Sequence, residues 1–289
     1  MRIMLLGATG MIGSAVLNEL IRAGHSVLAL ARSDAAEQSI SKMEADVLRG
    51  DLLQPAHWAS AVNTVDAVIH AAATFSDDMG SIDRHVIDAL IGHAMMAEDC
   101  VRFIYTGGIW LYGATGDEIA TEETPFDPIQ SFSWMVENGQ AVLGSNCFEG
   151  LIVHPARVYE RDGGAFSRFL SSAQDKGRIE VWGSLETRWP LVHRSDLAMA
   201  YRLVLEHGVV GESYNVAAQT GVRVGDIVTA MGRRLGLDRE PLVRPVDDVV
   251  EEYGTWAVGP TLDQQMSAKK IISTLGWVPQ KTDVVAEIS

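Results

Sequence analysis

The chain has 289 residues, and its 23 Lys and Arg against 38 Asp and Glu give a formal net charge of -15 at pH 7. This acidic balance argues against a nucleic-acid groove or an anionic membrane surface as partner, because both select basic patches. The length predicts one large domain, or one domain with a smaller lobe. The two cysteines, Cys100 and Cys147, fit no metal-ligand spacing, so we expect a reduced compartment and no metal.

The apolar runs of the chain are short. The first, residues 3–6, is too short for the core of a signal peptide. No later run approaches the ~18 apolar residues of a membrane helix. We therefore expect a cytoplasmic protein with no membrane partner, present as a monomer or homodimer.

The N-terminal segment is an apolar strand that breaks into glycines and resumes as an amphipathic helix to about Ala23, followed by a second strand at 25–31. This order leaves unpaired backbone N–H groups aimed at one point, a seat for a pyrophosphate. Gly7 allows the tight turn, Gly10 lets phosphates approach the backbone, and Gly13 lets the helix lie close to its strand. A plain strand–turn–helix joint is the alternative. The pattern favours a dinucleotide site formed by Gly7, Thr9, Gly10, Met11, Ile12 and Gly13.

Arg32 and Ser33 follow the second strand. Chains that bind the adenosine ribose of NAD usually place a carboxylate about 20 residues past the glycines. A guanidinium at this point suits the extra 2′-phosphate of NADP instead, through charge-assisted hydrogen bonds. The alternative is a solvated arginine at the start of a loop. We expect NADP(H) to be favoured over NAD(H).

Two further strand ends complete the predicted cofactor site. Residues 46–52 are predicted to form a short buried strand. Asp51 lies at its end, beside Leu52. The Asp51 carboxylate either accepts a hydrogen bond from an adenine amino group or caps a helix that begins near Pro55. Residues 65–70 form the next strand, which ends in three small side chains that let a flat cofactor lie against the backbone. These are Ala71, Ala72 and Ala73.

A long helix, from residue 82 to about 98, is predicted to lead into a strand at 101–106 that ends at Thr106. From here a family resemblance is clear. It rests on GATGMIG at 7–13, GDL at 50–52, HAAA at 70–73, YTGGIWLYG at 105–113 and HPARVY at 154–159. These motifs resemble the extended short-chain dehydrogenases/reductases, the family of nucleotide-sugar epimerases, dehydratases and related reductases.

The resemblance runs from residue 1 to the LGWVP segment at 275–279. It implies an α/β fold, a doubly wound parallel-sheet Rossmann fold with a smaller C-terminal substrate lobe. The cofactor-binding core is expected over residues 1–160. Residues 161–289 are expected to supply most of the substrate lobe, together with returning core elements.

The catalytic set of the resembled family is replaced. Its Ser or Thr after the fifth strand corresponds to Gly108, and register from the helix start places Trp134 and Asn138 where its Tyr-x-x-x-Lys would stand. No Tyr-x-x-x-Lys occurs in the chain. An indole N–H is a donor that does not ionise at neutral pH, so Trp134 can orient an oxygen but carries no proton. Asn138 can still bond the nicotinamide ribose, without charge.

Other side chains could supply a proton. The resemblance places Thr106, Tyr112, Tyr159 and His154 around the nicotinamide end, and each also has a purely structural reading. We count Thr106, Tyr112, Trp134 and Asn138 as catalytic candidates. Because of where the resemblance places them, Thr106, Asn138 and His154 are also counted as cofactor-binding candidates.

The second half of the chain has a looser pattern. Strands are predicted at 178–183 and 189–193, a helix start at Arg194 to Asp196, and helices at 222–235 and 263–275. The scattered arginines and the aromatic residues suit either a diphosphate or an apolar substrate.

We expect an atypical NADP-dependent oxidoreductase acting on a small carbonyl or hydroxyl compound, either a nucleotide sugar or an apolar molecule. The alternatives are an epimerase, dehydratase or isomerase with a tightly held cofactor, and a catalytically silent NADPH-binding sensor or scaffold.

Overall fold

The computed structural model describes residues 1–95 and 100–289, which divide into two compact units. Unit 1 comprises Met1–Gly107, Trp134–Val153 and Leu197–Tyr214. Unit 2 comprises Gly108–Ser133, His154–Asp196 and Asn215–Ser289. The sequence placed one boundary near residue 160 with core elements returning after it, and in the structure the chain enters unit 1 three times.

The strands, in chain order, are β1 (Arg2–Leu6), β2 (Ser26–Ala31), β3 (Asp46–Arg49), β4 (Ala67–His70), β5 (Val101–Thr106), β6 (Phe148–Pro155), β7 (Arg157–Glu160), β8 (Gly163–Gly164), β9 (Glu180–Trp182), β10 (Arg188–His193), β11 (Ser213–Val216), β12 (Gln219–Arg223) and β13 (Leu242–Arg244).

The α-helices are α1 (Met11–Arg22), α2 (Asp34–Ser41), α3 (Met79–Ala94), α4 (Trp134–Leu143), α5 (Ser167–Lys176), α6 (Arg194–His207), α7 (Val224–Leu235), α8 (Val246–Tyr253), α9 (Lys269–Leu275) and α10 (Val284–Ile288).

Within the described residues the main sheet has seven strands in the order β11-β6-β5-β4-β1-β2-β3. The pairings from β3 through to β6 are parallel. From β1 the chain therefore adds strands first on one side, through β2, and then on the opposite side, through β4, so that the strand order reverses at β1. This reversal makes the carboxyl ends of β1 and β4 the place where such sheets bind ligands. The predicted α/β doubly wound parallel sheet is confirmed.

The apolar runs explain why these segments form central strands. Ile3 to Leu6 are fully buried, as expected for a parallel strand covered on both faces. The prediction of a buried strand at 46–52 was wrong, because β3 ends at Arg49 and its residues are exposed or half-buried. The cause is its position at the edge of the sheet, where only β2 pairs with it.

Several predicted helix bounds differ from the structure. The helix expected over 82–98 is α3, which begins at Met79 and ends at Ala94; residues 96–98 of that prediction lie outside the described residues. The helix expected over 263–275 begins only at Lys269. Helix α6 begins at Arg194, so Asp196 lies in its first turn and its carboxylate accepts from the Gln280 and Lys281 amides.

Unit 2 is built around aromatic side chains. Among its described residues, β12-β10-β7-β8 form a four-stranded sheet and β13 pairs with β9. Tyr159, Phe166, Phe169 and Trp189 are buried beside it, with the apolar face of α7. The burial of this aromatic set gives unit 2 a core of its own. No helix in the described parts of the chain is both long and apolar enough to cross a membrane.

The glycine at the start of α1 is a strict packing requirement. A Cβ on Gly13 would lie 2.0 Å from the Gly7 carbonyl oxygen, closer than any backbone contact permits. We expect Gly13→Ala to lower the free energy of unfolding by about 3 kcal/mol. As the matched control, Gly232→Ala in α7, where a Cβ meets no described atom within 4 Å, should raise it by about 1 kcal/mol. Urea unfolding of both variants decides this, and equal stabilities would contradict the packing argument.

Candidate functional site

The glycines at the end of β1 bring three pieces of backbone together. Gly7 has φ +88°, and a Cβ there would lie 2.5 Å from the Ala71 oxygen at the end of β4. Gly13 packs on Gly7 from the other side, as described above. Both glycines are therefore needed by the protein itself.

Gly10 differs from its neighbours. Its φ of -78° and ψ of 176° suit any residue. The nearest described atom to a Cβ at this position is the Gly7 oxygen at 3.4 Å. Neither strain nor crowding requires a glycine here, so a Cβ would fill open space beside the backbone. That space suits a phosphate group of a dinucleotide.

The first turn of α1 faces this space with its amides. The N–H groups of Met11 and Ile12 have no acceptor within the helix, since the first turn of any helix lacks one. Among the described residues no side chain caps the turn, and it holds no acidic residue. The Ser14 hydroxyl bonds the Gly10 carbonyl oxygen at 2.6 Å instead of an amide. Uncapped amides and the positive end of the helix dipole favour an anion.

Arg32 is exposed after β2 and has no hydrogen-bonded or ionic partner among residues 1–95 and 100–289. The two carboxylates nearest in sequence, Asp34 and Glu37, are both held by Arg49, at 2.8 and 3.1 Å. Ser33 is the N-cap of α2, and its hydroxyl accepts from the Ala36 amide at 3.2 Å. The structure thus leaves the Arg32 guanidinium free for a ligand, while Ser33 is partly used by its own helix.

Asp51 lies in a turn after β3. Its carboxylate accepts from the Leu53 amide at 3.0 Å. The short helix at Pro55–His57 has Gln54 as its N-cap and no side-chain cap bond, so the helix-capping alternative for Asp51 was wrong. The adenine contact predicted for Asp51, with Leu52 half-buried beside it, stays a prediction.

At the end of β4, Ala71 and Ala72 are half-buried and Ala73 is exposed. Ala71 and Ala72 form the wall that Gly7 touches. Behind them, the Ala72 amide donates to His70 Nδ1 at 3.4 Å, and His70 Nε2 lies 2.8 Å from Asp83 Oδ1. The buried His70 therefore stabilises the end of β4 through these two contacts.

Asp83, on α3, is the centre of a buried polar network. Its Oδ2 accepts from the Tyr105 hydroxyl at 2.7 Å and from Asn138 Nδ2 at 2.8 Å. Burial raises the pKa of Asp83, but the charge and hydrogen bond of His70 and the bonds from Tyr105 and Asn138 outweigh it, so the pKa is lowered. Burial, then the Asp83 charge, raises the pKa of Tyr105. Asp83 is thus held as a carboxylate and Tyr105 as a neutral phenol.

Trp134 and Asn138, the replacements for the expected Tyr and Lys, both lie on α4 against α3. Trp134 covers Gly80, where a Cβ would lie 2.6 Å from the indole. Asn138 is 4% exposed, and its Nδ2 also lies 3.3 Å from the Gly80 carbonyl oxygen. Both amide hydrogens are therefore directed at protein acceptors, which leaves only Oδ1 for a ribose. The catalytic and cofactor roles foreseen for this pair stay predictions.

Thr106 ends β5 with its hydroxyl 2.6 Å from that of Tyr201 on α6. Burial raises the pKa of Tyr201, against the lowering effect of its bond to Thr106. Tyr201 is therefore a neutral phenol at neutral pH, and either hydroxyl of the pair is able to donate to the other. Thr106 itself is half-buried.

Tyr112 and His154 lie together in unit 2. Their rings meet edge to face with centroids 5.9 Å apart, and the Tyr112 hydroxyl donates to Asn215 Oδ1 at 2.8 Å. Burial raises the pKa of Tyr112. Burial, then the Lys270 charge, lowers the pKa of His154 to about 4. At neutral pH both groups are uncharged; the parts foreseen for them in catalysis and cofactor binding stay predictions.

Sequence reasoning missed Asp83 and Phe75. Asp83 occupies a core-facing position of α3, in register with Val86, Ile87 and Leu90. A carboxylate on the apolar face of a predicted helix was the sequence signal that could have identified it. Phe75, two residues past Ala73, is 82% exposed and has φ +53°. Nothing in the sequence marked this strained aromatic residue, and such strain gathers at functional sites. In the described residues no group of three or more His, Cys, Asp or Glu is placed to hold a metal.

Comparison with known proteins adds to this geometry. Residues 3–217 match the sequence model of the NAD dependent epimerase/dehydratase family. YLL056C of Saccharomyces cerevisiae is 29% identical over 297 residues, covering 100% of this chain and 98% of the yeast protein. A 2-alkyl-3-oxoalkanoate reductase of Stenotrophomonas maltophilia is 35% identical over 259 residues, covering 83% of this chain and 77% of that protein.

The fold is similar to solved structures as well. The crystal structure of the human epimerase family protein SDR39U1 with NADPH has a TM-score of 0.79 at 19% identity, and the match covers 100% of this chain and 98% of that one. At this identity the likeness concerns the fold, and it agrees with the Rossmann arrangement expected from the sequence motifs.

A conservative substitution of Asp83 is expected to lower the free energy of unfolding by a large amount. Asp83→Asn replaces one of the two acceptor oxygens by an N–H donor, which then faces either His70 Nε2 or the donors of Tyr105 and Asn138. Because it also removes the buried negative charge, we expect a loss of about 3 kcal/mol in unfolding free energy at pH 7. Asp88→Asn, in an exposed pair with Arg84 on the same helix, should cost less than about 0.5 kcal/mol.

The same pair of variants tests the charge of Asp83. Because the folded pKa lies below the ordinary 3.8, the stabilisation is complete above that pH and is lost as the pH falls through the folded value. The gap between wild type and Asp83→Asn should therefore narrow only below pH 3.8. A gap that closes near pH 6 would show that Asp83 is not the charged member of the network.

Proposed function

The chain belongs to the NAD dependent epimerase/dehydratase family, and from that premise we propose that it is an NADP-dependent oxidoreductase of atypical kind. The proposed substrate is a small carbonyl or hydroxyl compound. One observation supports the cofactor assignment: Arg32 has no partner among the described residues, while the neighbouring Asp34 and Glu37 are both paired with Arg49. An unpaired carboxylate pair at this point would repel a 2′-phosphate, and the pairing of both carboxylates with Arg49 reduces that repulsion.

The proposed cofactor contacts follow from the cradle. The amides of Met11 and Ile12 bind the pyrophosphate in the space beside Gly10, and Arg32 binds the 2′-phosphate. Asp51 accepts from the adenine, and the Ala71–Ala73 backbone lies along the cofactor. When bound, the nicotinamide supplies or accepts a hydride.

The protein's own part in the chemistry is proposed for Thr106. In the Thr106–Tyr201 pair, donation from the Tyr201 hydroxyl to Thr106 Oγ1 directs the Thr106 proton toward a substrate oxygen, which it polarises without being transferred. The proton that accompanies hydride transfer then comes from water, because Trp134 does not ionise. Loss of a placed general acid costs typically ~10²–10⁴ in rate, so we expect slow turnover. The similarity to a relative named as a reductase supports this direction.

A second candidate is a catalytically silent NADPH-binding sensor or scaffold. The observation that favours it is Asn138, whose amide is directed at Asp83 and the Gly80 oxygen. An epimerase or dehydratase with a tightly held cofactor is the third reading, which the family description supports. Single-turnover oxidation of bound NADPH by added carbonyl compounds separates the first candidate from the second.

Arg32 sets the expected preference between the two nicotinamide cofactors. A charged hydrogen bond is worth roughly 1.5–3 kcal/mol, so NADPH should bind about ten- to a hundred-fold more tightly than NADH. Arg32→Ala should remove this preference and leave NADH affinity unchanged. Arg84→Ala, an exposed arginine on α3, is the control. Fluorescence titration of both cofactors measures this, and equal affinities in the wild type would refute the NADP assignment.

Gly10 tests the pyrophosphate seat. Because its backbone angles and surroundings accept a side chain, Gly10→Val should fold with nearly unchanged thermal stability and yet lose NADPH binding by more than about a hundred-fold. The reason is that the valine occupies the space beside the amides of α1. A folded Gly10→Val protein with wild-type affinity would show that the glycines only join strand to helix.

A further inference from the structure

Arg157, the first residue of β7 in unit 2, is a cation without a counter-charge. Its Nε and Nη1 are buried and have no hydrogen-bond partner, and no described carboxylate pairs with its guanidinium. Buried donors are nearly always satisfied in folded proteins, and a buried charge is normally paired. Arg157 differs from the exposed Arg32 because its unpartnered donors are buried.

Aromatic rings hold this guanidinium in place. Its Cζ lies 3.7 Å from the ring centroid of Trp189 and 5.6 Å from that of Trp110. At 3.7 Å the Cζ atom is in van der Waals contact with the Trp189 ring, a distance at which a guanidinium gains cation–π attraction. Trp110 Nε1 is also buried without a partner. We refer to Trp110, Arg157 and Trp189 as the Arg157 stack.

A second cation reinforces the positive field. Trp189 stacks on Phe169 with centroids 5.4 Å apart, and the adjacent Arg168 lies 3.4 Å from the Trp182 ring centroid with a buried, unpartnered Nη1. Burial, and then the Arg168 charge, lowers the pKa of Arg157 to about 9, so the side chain stays charged at neutral pH. Glu180, the nearby acid, is engaged by Lys176 and by Trp182 Nε1.

We propose that the Arg157 stack binds the carboxylate group of a small organic acid. An anion supplies the acceptors that the guanidinium and the Trp110 indole lack, and it offsets two neighbouring positive charges. The two coplanar oxygens of a carboxylate match the planar fork of a guanidinium in a bidentate pair.

The identification of this acid as the substrate depends on the proposed function. The binding of a carboxylate by the Arg157 stack does not depend on it. On that reading the substrate class narrows from any small carbonyl compound to keto or hydroxy acids.

Calorimetric titration of the full chain with benzoate, with neutral benzamide and with inorganic phosphate tests the site. We expect benzoate to bind at least tenfold more tightly than either of the others. Arg157→Gln should abolish the advantage of benzoate over benzamide, while Arg233→Gln, an exposed arginine on α7, should keep it. Equal binding of benzoate and benzamide, tighter binding of phosphate, or an unaffected Arg157→Gln variant would each overturn the proposal.

Two further measurements keep the test decisive. If Arg157→Gln fails to fold, Arg157→Lys replaces it: lysine keeps the charge without the planar fork, so benzoate should bind more weakly. In the wild type, benzoate should raise the Tm of the protein and benzamide should not. NADPH titration of the same samples separates the two proposals. Benzoate binding without NADPH binding contradicts the proposed function alone, and NADPH binding without benzoate binding contradicts the carboxylate site alone.

Discussion

The structure depends on a backbone contact at the end of β1. Gly7, with φ +88°, lies against the Ala71 carbonyl on one side and against Gly13 on the other, so β1, β4 and α1 converge without intervening side chains. This contact directs the first-turn amides of α1 toward the space beside Gly10. A larger side chain at Gly7 or Gly13 would separate the strand from the helix and remove that space.

A second layer supports the first from within unit 1. His70 bonds the Ala72 amide and lies against Asp83, which also holds Tyr105 and Asn138. Asn138, through its bonds to Asp83 and to the Gly80 oxygen, thus takes part in the packing of α4 on α3. This packing role of Asn138 is compatible with the slow turnover expected under the proposed function.

The sequence predicted the central strands, the glycine turn and α1 because apolar runs and glycine spacing are local signals. It did not predict the exposure of β3, because an edge position depends on which strands pair. The hydrogen-bond partners of Asn138 could not be predicted from the sequence either. They depend on how α3 packs against α4, and Asn138 lies 55 residues from Asp83 along the chain. The unpaired charge of Arg157 appears only when all the neighbours of its guanidinium are known; along the chain it was one arginine among several.

A crystal structure of the protein with NADPH tests the central claim, that the cradle beside Gly10 seats a dinucleotide whose 2′-phosphate Arg32 binds. The account predicts pyrophosphate oxygens within hydrogen-bond distance of the Met11 and Ile12 amides, and the 2′-phosphate on the Arg32 guanidinium. A dinucleotide bound elsewhere, or a 2′-phosphate in solvent with Arg32 turned away from it, would contradict the account.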